Sequence, residues 1–115
     1  MTDNCIFCSI VSGVTPSDII KDTDNAIYFR DINPKARVHI LAIPKKHIGS
    51  LAAIAPEDQE VLGAILRGLS EVATRLGIDA SGYRVVTNCG PDAGQDVKHL
   101  HFHLLGGEAL GPLRC

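Results

Sequence analysis

Nothing in this sequence restricts the backbone as sharply as His99-Leu100-His101-Phe102-His103-Leu104-Leu105, where imidazole and apolar side chains alternate. Successive side chains of a β-strand point to opposite faces, so period two sorts the run into three imidazoles on one side and Leu100, Phe102 and Leu104 on the other. Residues 99–105 are therefore predicted as a strand with its apolar face on a core. The imidazole face must look into a cleft, at water or at a metal, because buried imidazoles without partners are costly.

Three readings of that face compete. One is a stripe of histidines with no role, disfavoured when the chain has only five histidines in all. Another is a three-histidine zinc site, since neighbouring strand positions can converge on one metal. The third is a nucleophilic histidine flanked by two that orient it and its substrate. The residues just before the strand, Gly94-Gln95-Asp96-Val97-Lys98, favour the third. A glycine-containing loop can turn several backbone N–H groups towards one anion, and such a loop beside imidazoles suits a phosphate and its attacking group.

The remaining elements follow from local chemistry. Residues 5–12 read as a short helix ending at Gly13. Strands are predicted at residues 18–21 and 26–30, joined by the turn-forming Asp22-Thr23-Asp24-Asn25. After the Asp31-Ile32-Asn33-Pro34 turn, residues 38–43 form a buried β-branched strand stopped by Pro44. A long amphipathic helix is predicted at about residues 56–76, with Pro56 at its first position and Gly77 as its C-cap. Its apolar stripe is Val61, Leu62, Ile65, Leu66, Leu69, Val72, Ala73 and Leu76; the small residues Gly63, Ala64 and Gly68 form a second face, read as a subunit contact. Residues 83–88 form a further strand, and Cys89 to Gln95 a loop. Helix, strands, helix, strands gives an α+β class: an antiparallel sheet of about five strands with one short and one long helix.

A chain of 115 residues suits a single domain, 1–115. Its net charge of -2 shows no basic stripe, which argues against non-specific nucleic-acid binding but not against single nucleotides. No run approaches the ~20 apolar residues that cross a bilayer. Met1-Thr2-Asp3-Asn4 lacks the features of a signal peptide, so a cytoplasmic location is expected and no membrane partner. In a reducing compartment, the Cys5-x-x-Cys8 pair points to metal or redox chemistry rather than a disulfide, while Cys89 and Cys115 look incidental.

The stretch from Gly94 to Gly107, GQDVKHLHFHLLGG, resembles the signature of the histidine triad (HIT) family. HILAIPKKHI at residues 39–48, CIFCSI near the start and the 31–34 turn are similar to its other recurrent segments, in the same order. The resemblance implies a HIT-like fold, a homodimer, and the branch that hydrolyses purine nucleoside phosphoramidates. It casts His101 as the nucleophile that forms a nucleotidyl-histidine intermediate, with His103, His39 and Asn88 around the reacting phosphate. Backbone amides of Gly94, Gln95, Asp96 and Val97 would hold the phosphate oxygens, with His103 beside them. Asp31 would bind the ribose, and Ile6, Phe7, Ile10, Phe29, Ile32 and Leu41 would wall the base. The plainer readings are a turn former for Asp31 and Asn88, a hydrogen-bonded core imidazole for His39, and core packing for the apolar set. Dinucleoside polyphosphate hydrolysis and nucleotide binding with negligible turnover are the alternatives.

By the same resemblance Cys5 and Cys8 would bind a structural zinc ion with His47 and His99. Two departures stand out. Asp96 occupies a place where the family often has a hydroxyl, and is expected to point away from the phosphate, towards the amine side of the substrate. The tail from Gly106 to Cys115 contains no tryptophan, unlike that of close relatives.

Overall fold

The computed structural model describes residues 5–113, so the N-terminal tetrapeptide, Arg114 and Cys115 lie outside the described residues. A short helix α1 (Ile6–Val11) leads into strands β1 (Ile19–Asp22), β2 (Ala26–Arg30) and β3 (Val38–Pro44). The long helix α2 (Gln59–Arg75) follows, then β4 (Tyr83–Val86) and β5 (Phe102–Gly106). The strands form one antiparallel sheet in the order β1-β2-β3-β5-β4. This is the expected class and strand number. No described helix is long and apolar enough to cross a membrane.

Several boundaries move for local reasons. Pro56–Asp58 is a separate 3-10 turn, so α2 proper starts at Gln59. Pro44 does not stop β3 but ends it, paired with Ala26. β4 stops at Val86, two residues early. The expected hairpin turn is present, with the Thr23 hydroxyl accepting from the Ala26 amide at 3.1 Å.

The largest shift is at the histidine run. The ladder begins only at Phe102, because the chain bends through Val97–His99 and the Leu100 amide donates to the Ile48 carbonyl at 2.6 Å. The alternation of faces outlasts the ladder. Leu100, Phe102 and Leu104 share a core with Tyr28, Ile40 and Ala42 of the sheet and with Ile65, Leu69, Val72 and Ala73 of α2.

One residue of the small-residue face of α2, Gly68, also has a different use. Gly68 is buried against the sheet, and a Cβ there would sit 1.9 Å from the Tyr28 hydroxyl oxygen. That hydroxyl donates to the Ile65 carbonyl at 3.1 Å and lies 3.3 Å from that of Ala64. Burial, with Glu71 nearby, pushes the Tyr28 phenol up to about 12, so it stays a donor. Gly68 therefore serves an intrachain contact, not the subunit contact expected from sequence. Leu66, counted in the apolar stripe, is instead 51% exposed.

Candidate functional site

The sheet face away from α2 carries Ile27, Phe29, His39, Leu41, Ile43 and His103, and α1 lies over part of it with Phe7 and Ile10. Cys5 caps α1, its sulfur accepting from the Cys8 amide at 3.3 Å. The sequence reading left the imidazoles facing a cleft. In the structure His99, His101 and His39 are buried, and each is held by the backbone.

A backbone amide only donates and a carbonyl only accepts, so these contacts assign the tautomers. His101 Nδ1 lies 2.7 Å from the His99 carbonyl oxygen and donates to it. Neutral His101 then keeps its lone pair on Nε2. The Lys35 amide donates to His39 Nδ1 at 3.0 Å, which puts the His39 proton on Nε2. That N–H is 2.9 Å from His103 Nδ1, with Asp31 Oδ2 at 3.4 Å from the same nitrogen. His103 Nδ1 accepts, so its proton sits on Nε2. Burial holds His39 below the usual imidazole range, against the pull of Asp31. Burial first, then His101 and His39, does the same for His103. Both are therefore neutral near pH 7, as the assigned tautomers require.

His99 turns the other way. Its Nε2 donates to the Pro44 carbonyl at 2.9 Å, leaving the Nδ1 lone pair for a separate cluster. Nδ1 is 3.2 Å from Cys5 Sγ, 3.5 Å from Cys8 Sγ and 3.1 Å from His47 Nδ1, while Cys8 Sγ is 3.2 Å from His47 Nδ1. Two thiols and two imidazole nitrogens so close suit a tetrahedral Cys2His2 site: bonds of about 2.0–2.3 Å need only a slight expansion of this set. Sequence reasoning named all four residues, and the fold brings them together.

The three histidines of the run thus make three different sets of contacts and do not converge on one metal-ligating group. Asp31, His39 and His103 do cluster. With Lys35 donating to Nδ1, however, His39 offers an N–H there instead of a lone pair, and the group reads as a hydrogen-bonded chain.

The loop before the run differs in detail from expectation. The Gly94 and Gln95 amides are used inside it, donating to the Pro91 and Gly90 carbonyls at 3.0 and 3.1 Å. The Gln95 side chain is a brace, accepting from the Gly90 amide and donating to the carbonyls of Gly49 and Val97. Among the described residues the Asp96 and Val97 amides have no such acceptor. Asp96 Oδ1 lies 3.6 Å from His101 Nε2, with the side chain 81% exposed.

Asn88 is half-buried just past β4, and its neighbour Thr87 donates from its hydroxyl to the His101 carbonyl at 2.8 Å. Asp31 Oδ1 accepts from the Asn33 amide at 2.8 Å, so it is a turn former as well as a neighbour of His39. Phe7, Ile10, Phe29 and Leu41 pack in one cluster. Ile6 and Ile32 stand apart from it, 46% and 91% exposed. The contacts that set the tautomers of His39, His99 and His101, missed from sequence, are to main-chain atoms (Lys35, Pro44, His99), which carry no residue-type signal.

The family described as "Scavenger mRNA decapping enzyme C-term binding" matches residues 4–113. The structure resembles that of a histidine triad protein from Clostridium difficile, with a TM-score of 0.95 and 40% identity over 99% of each chain. The purine nucleoside phosphoramidase of Escherichia coli K12 is 39% identical over 113 residues, which cover 98% of this chain and 95% of that one. A zinc-bound histidine triad family protein from Mycobacterium smegmatis has a TM-score of 0.80 at 33% identity, covering 96% of this chain and 82% of the other.

Proposed function

This chain belongs to the histidine triad family, and from that membership we propose that it hydrolyses purine nucleoside phosphoramidates, releasing the nucleoside monophosphate. One observation carries the proposal: His101 gives its Nδ1 proton to the His99 carbonyl and keeps the Nε2 lone pair beside the exposed Asp96 loop.

In the proposed reaction His101 Nε2 attacks the α-phosphorus. A P–N bond to Nε2 forms as the P–N bond to the leaving amine breaks, a proton from solvent going to the departing nitrogen so that it leaves as the neutral amine. His103 presents Nε2–H to the phosphate, its ring 5.1 Å from that of His101, and is itself oriented by His39. The amides of Asp96 and Val97 suit the non-bridging oxygens, where charge accumulates. Asn88 follows Thr87, whose hydroxyl holds the His101 carbonyl, and would lie beside the phosphate, and Asp31 would take the ribose hydroxyls through Oδ2. Water then attacks the same phosphorus and gives up a proton to solvent, the bond to Nε2 breaks with its electron pair returning to the imidazole, and the monophosphate leaves. Splitting one displacement into two lowers each barrier.

Cys5, Cys8, His47 and His99 would hold a structural zinc ion, whose part is to fasten α1 and not to touch substrate. A homodimer fits the exposed Tyr83 and Val85 on the edge strand β4 and the exposed Leu66 on α2. A single domain over the whole chain and a cytoplasmic location complete the proposal.

The test is release of AMP from adenosine phosphoramidate by wild type and His101→Ala, with a diadenosine polyphosphate in parallel. Turnover should fall at least about a thousandfold in the variant, as expected when a nucleophile is removed. No amidate cleavage by wild type would overturn the proposal. The polyphosphate lane would then separate a polyphosphate hydrolase from a nucleotide binder without turnover.

A further inference from the structure

We propose that Phe7 is a positioning residue for His101, and that Cys5 and Cys8 act on the reaction through it. The inference rests on His101 being the nucleophile. It assigns Phe7 a role beyond a wall of the base pocket.

The hydrogen bond from Nδ1 to the His99 carbonyl fixes the tautomer of His101, but one contact leaves the ring free to tilt about it. Two rings remove that freedom. His103 stands 5.1 Å away at 67°, and Phe7 is 5.1 Å away at 74°, both edge-on. His103 is anchored by His39. Phe7 is anchored by α1, which has only six residues and is too short to be stable alone.

The position of α1 comes from its side chains. Phe7 packs edge-on against Phe29 at 5.9 Å and against His99 at 5.8 Å. Cys5 and Cys8, on either side of Phe7 in sequence, reach the His47–His99 cluster. His99 therefore holds α1 with its side chain while its carbonyl holds the nucleophile. Phe7, 7% exposed, closes the triangle. It offers a nucleotide little surface, but it touches the ring whose angle governs attack. Small misplacement of an attacking atom costs rate far more than binding.

The two roles separate kinetically. With adenosine phosphoramidate, Phe7→Leu should lower kcat about tenfold with KM within about twofold. In the free protein, the proton NMR signal of His101 Nδ1–H should broaden or vanish. Phe7→Met, similar in volume, serves if the leucine variant folds poorly. Cys5→Ser with Cys8→Ser should produce the same two changes, and adding Phe7→Leu should then change little, because the residues act as one unit.

A raised KM with unchanged kcat and an intact Nδ1–H signal would make Phe7 a base-wall residue and overturn the proposal. Additive effects of the cysteine and phenylalanine changes would overturn the coupling to Cys5 and Cys8. Retained turnover in His101→Ala would instead remove the nucleophile on which the inference rests.

Discussion

The two faces of the sheet are held by different physics. Towards α2, Tyr28, Ile40, Ala42, Phe102 and Leu104 meet Ile65, Leu69 and Val72 in an apolar layer whose polar exception is the Tyr28 hydroxyl on helix carbonyls. Towards α1, the apolar cluster of Phe7, Ile10, Ile27, Phe29, Leu41 and Ile43 lies beside three buried imidazoles, His39, His99 and His101, each fixed by a main-chain amide or carbonyl. The first face resists by area removed from water. The second adds direction, since a misaligned hydrogen bond to one of its imidazoles is worth little while an unmade one is costly. Stability should therefore reside mainly in one face and reactivity in the other.

A cavity in the α2 layer is the strongest test of that division. Ile65 is fully buried there, so Ile65→Ala should cost about 2–5 kcal/mol of stability. Well below its melting temperature the variant should keep the wild-type kcat, because Ile65 packs in the core cluster on the other face of the sheet. Urea unfolding and amidate kinetics on one preparation would check both halves. A large loss of kcat in folded protein would show that the faces are coupled through the sheet.

The same division decided what could be read from sequence. The α2 layer is a matter of period, and spacing in the sequence placed Ile65, Leu69, Val72 and Ala73 correctly. It failed where size mattered more than hydropathy: Gly68 looked like a surface notch, and in fact admits the Tyr28 ring. On the other face the residue types were legible. Cys5, Cys8, His47 and His99 meet, as do His39 and His103, though these are far apart in sequence. Their tautomers were not legible, because Lys35, Pro44 and His99 act there through peptide groups that every residue possesses. The bend before Phe102 was missed for a related reason. Alternation reports the face on which a side chain lies and persists beyond the hydrogen-bonded ladder.

Acid should distinguish the faces next, with a smaller effect than the cavity. His39 and His103 are held below the usual imidazole value of 6.5, chiefly by burial. Above that value both folded and unfolded chains carry them neutral. As pH falls through and below it, the unfolded chain takes up protons that the folded chain resists, so stability declines. Melting temperature should therefore fall as pH is lowered below 6.5, and His103→Gln should flatten that slope. Ile65→Ala should lower the whole curve without changing the contribution of these histidines. An unchanged slope in His103→Gln would mean that this imidazole titrates alike in both states.

Asp96 should give the smallest effect, and it probes the rim of the histidine face rather than its interior. With its side chain 81% exposed, its replacement should leave stability within about 0.5 kcal/mol. Its carboxylate lies 3.6 Å from His101 Nε2, in the space that the proposed reaction gives to the phosphate, and there a bound nucleotide would push it aside. Displaced but still near, it would attract a cationic leaving amine and repel an anionic one. At a separation of several ångströms in a solvent-rich site such a charge is worth a few-fold in rate. Asp96→Ser should therefore weaken the preference for amidates with a basic amine over those with a neutral one about threefold, and the difference should shrink in high salt. An unchanged preference together with tighter AMP binding would confine Asp96 to repelling the phosphate, and selection of the leaving group would then have to come from elsewhere on the rim.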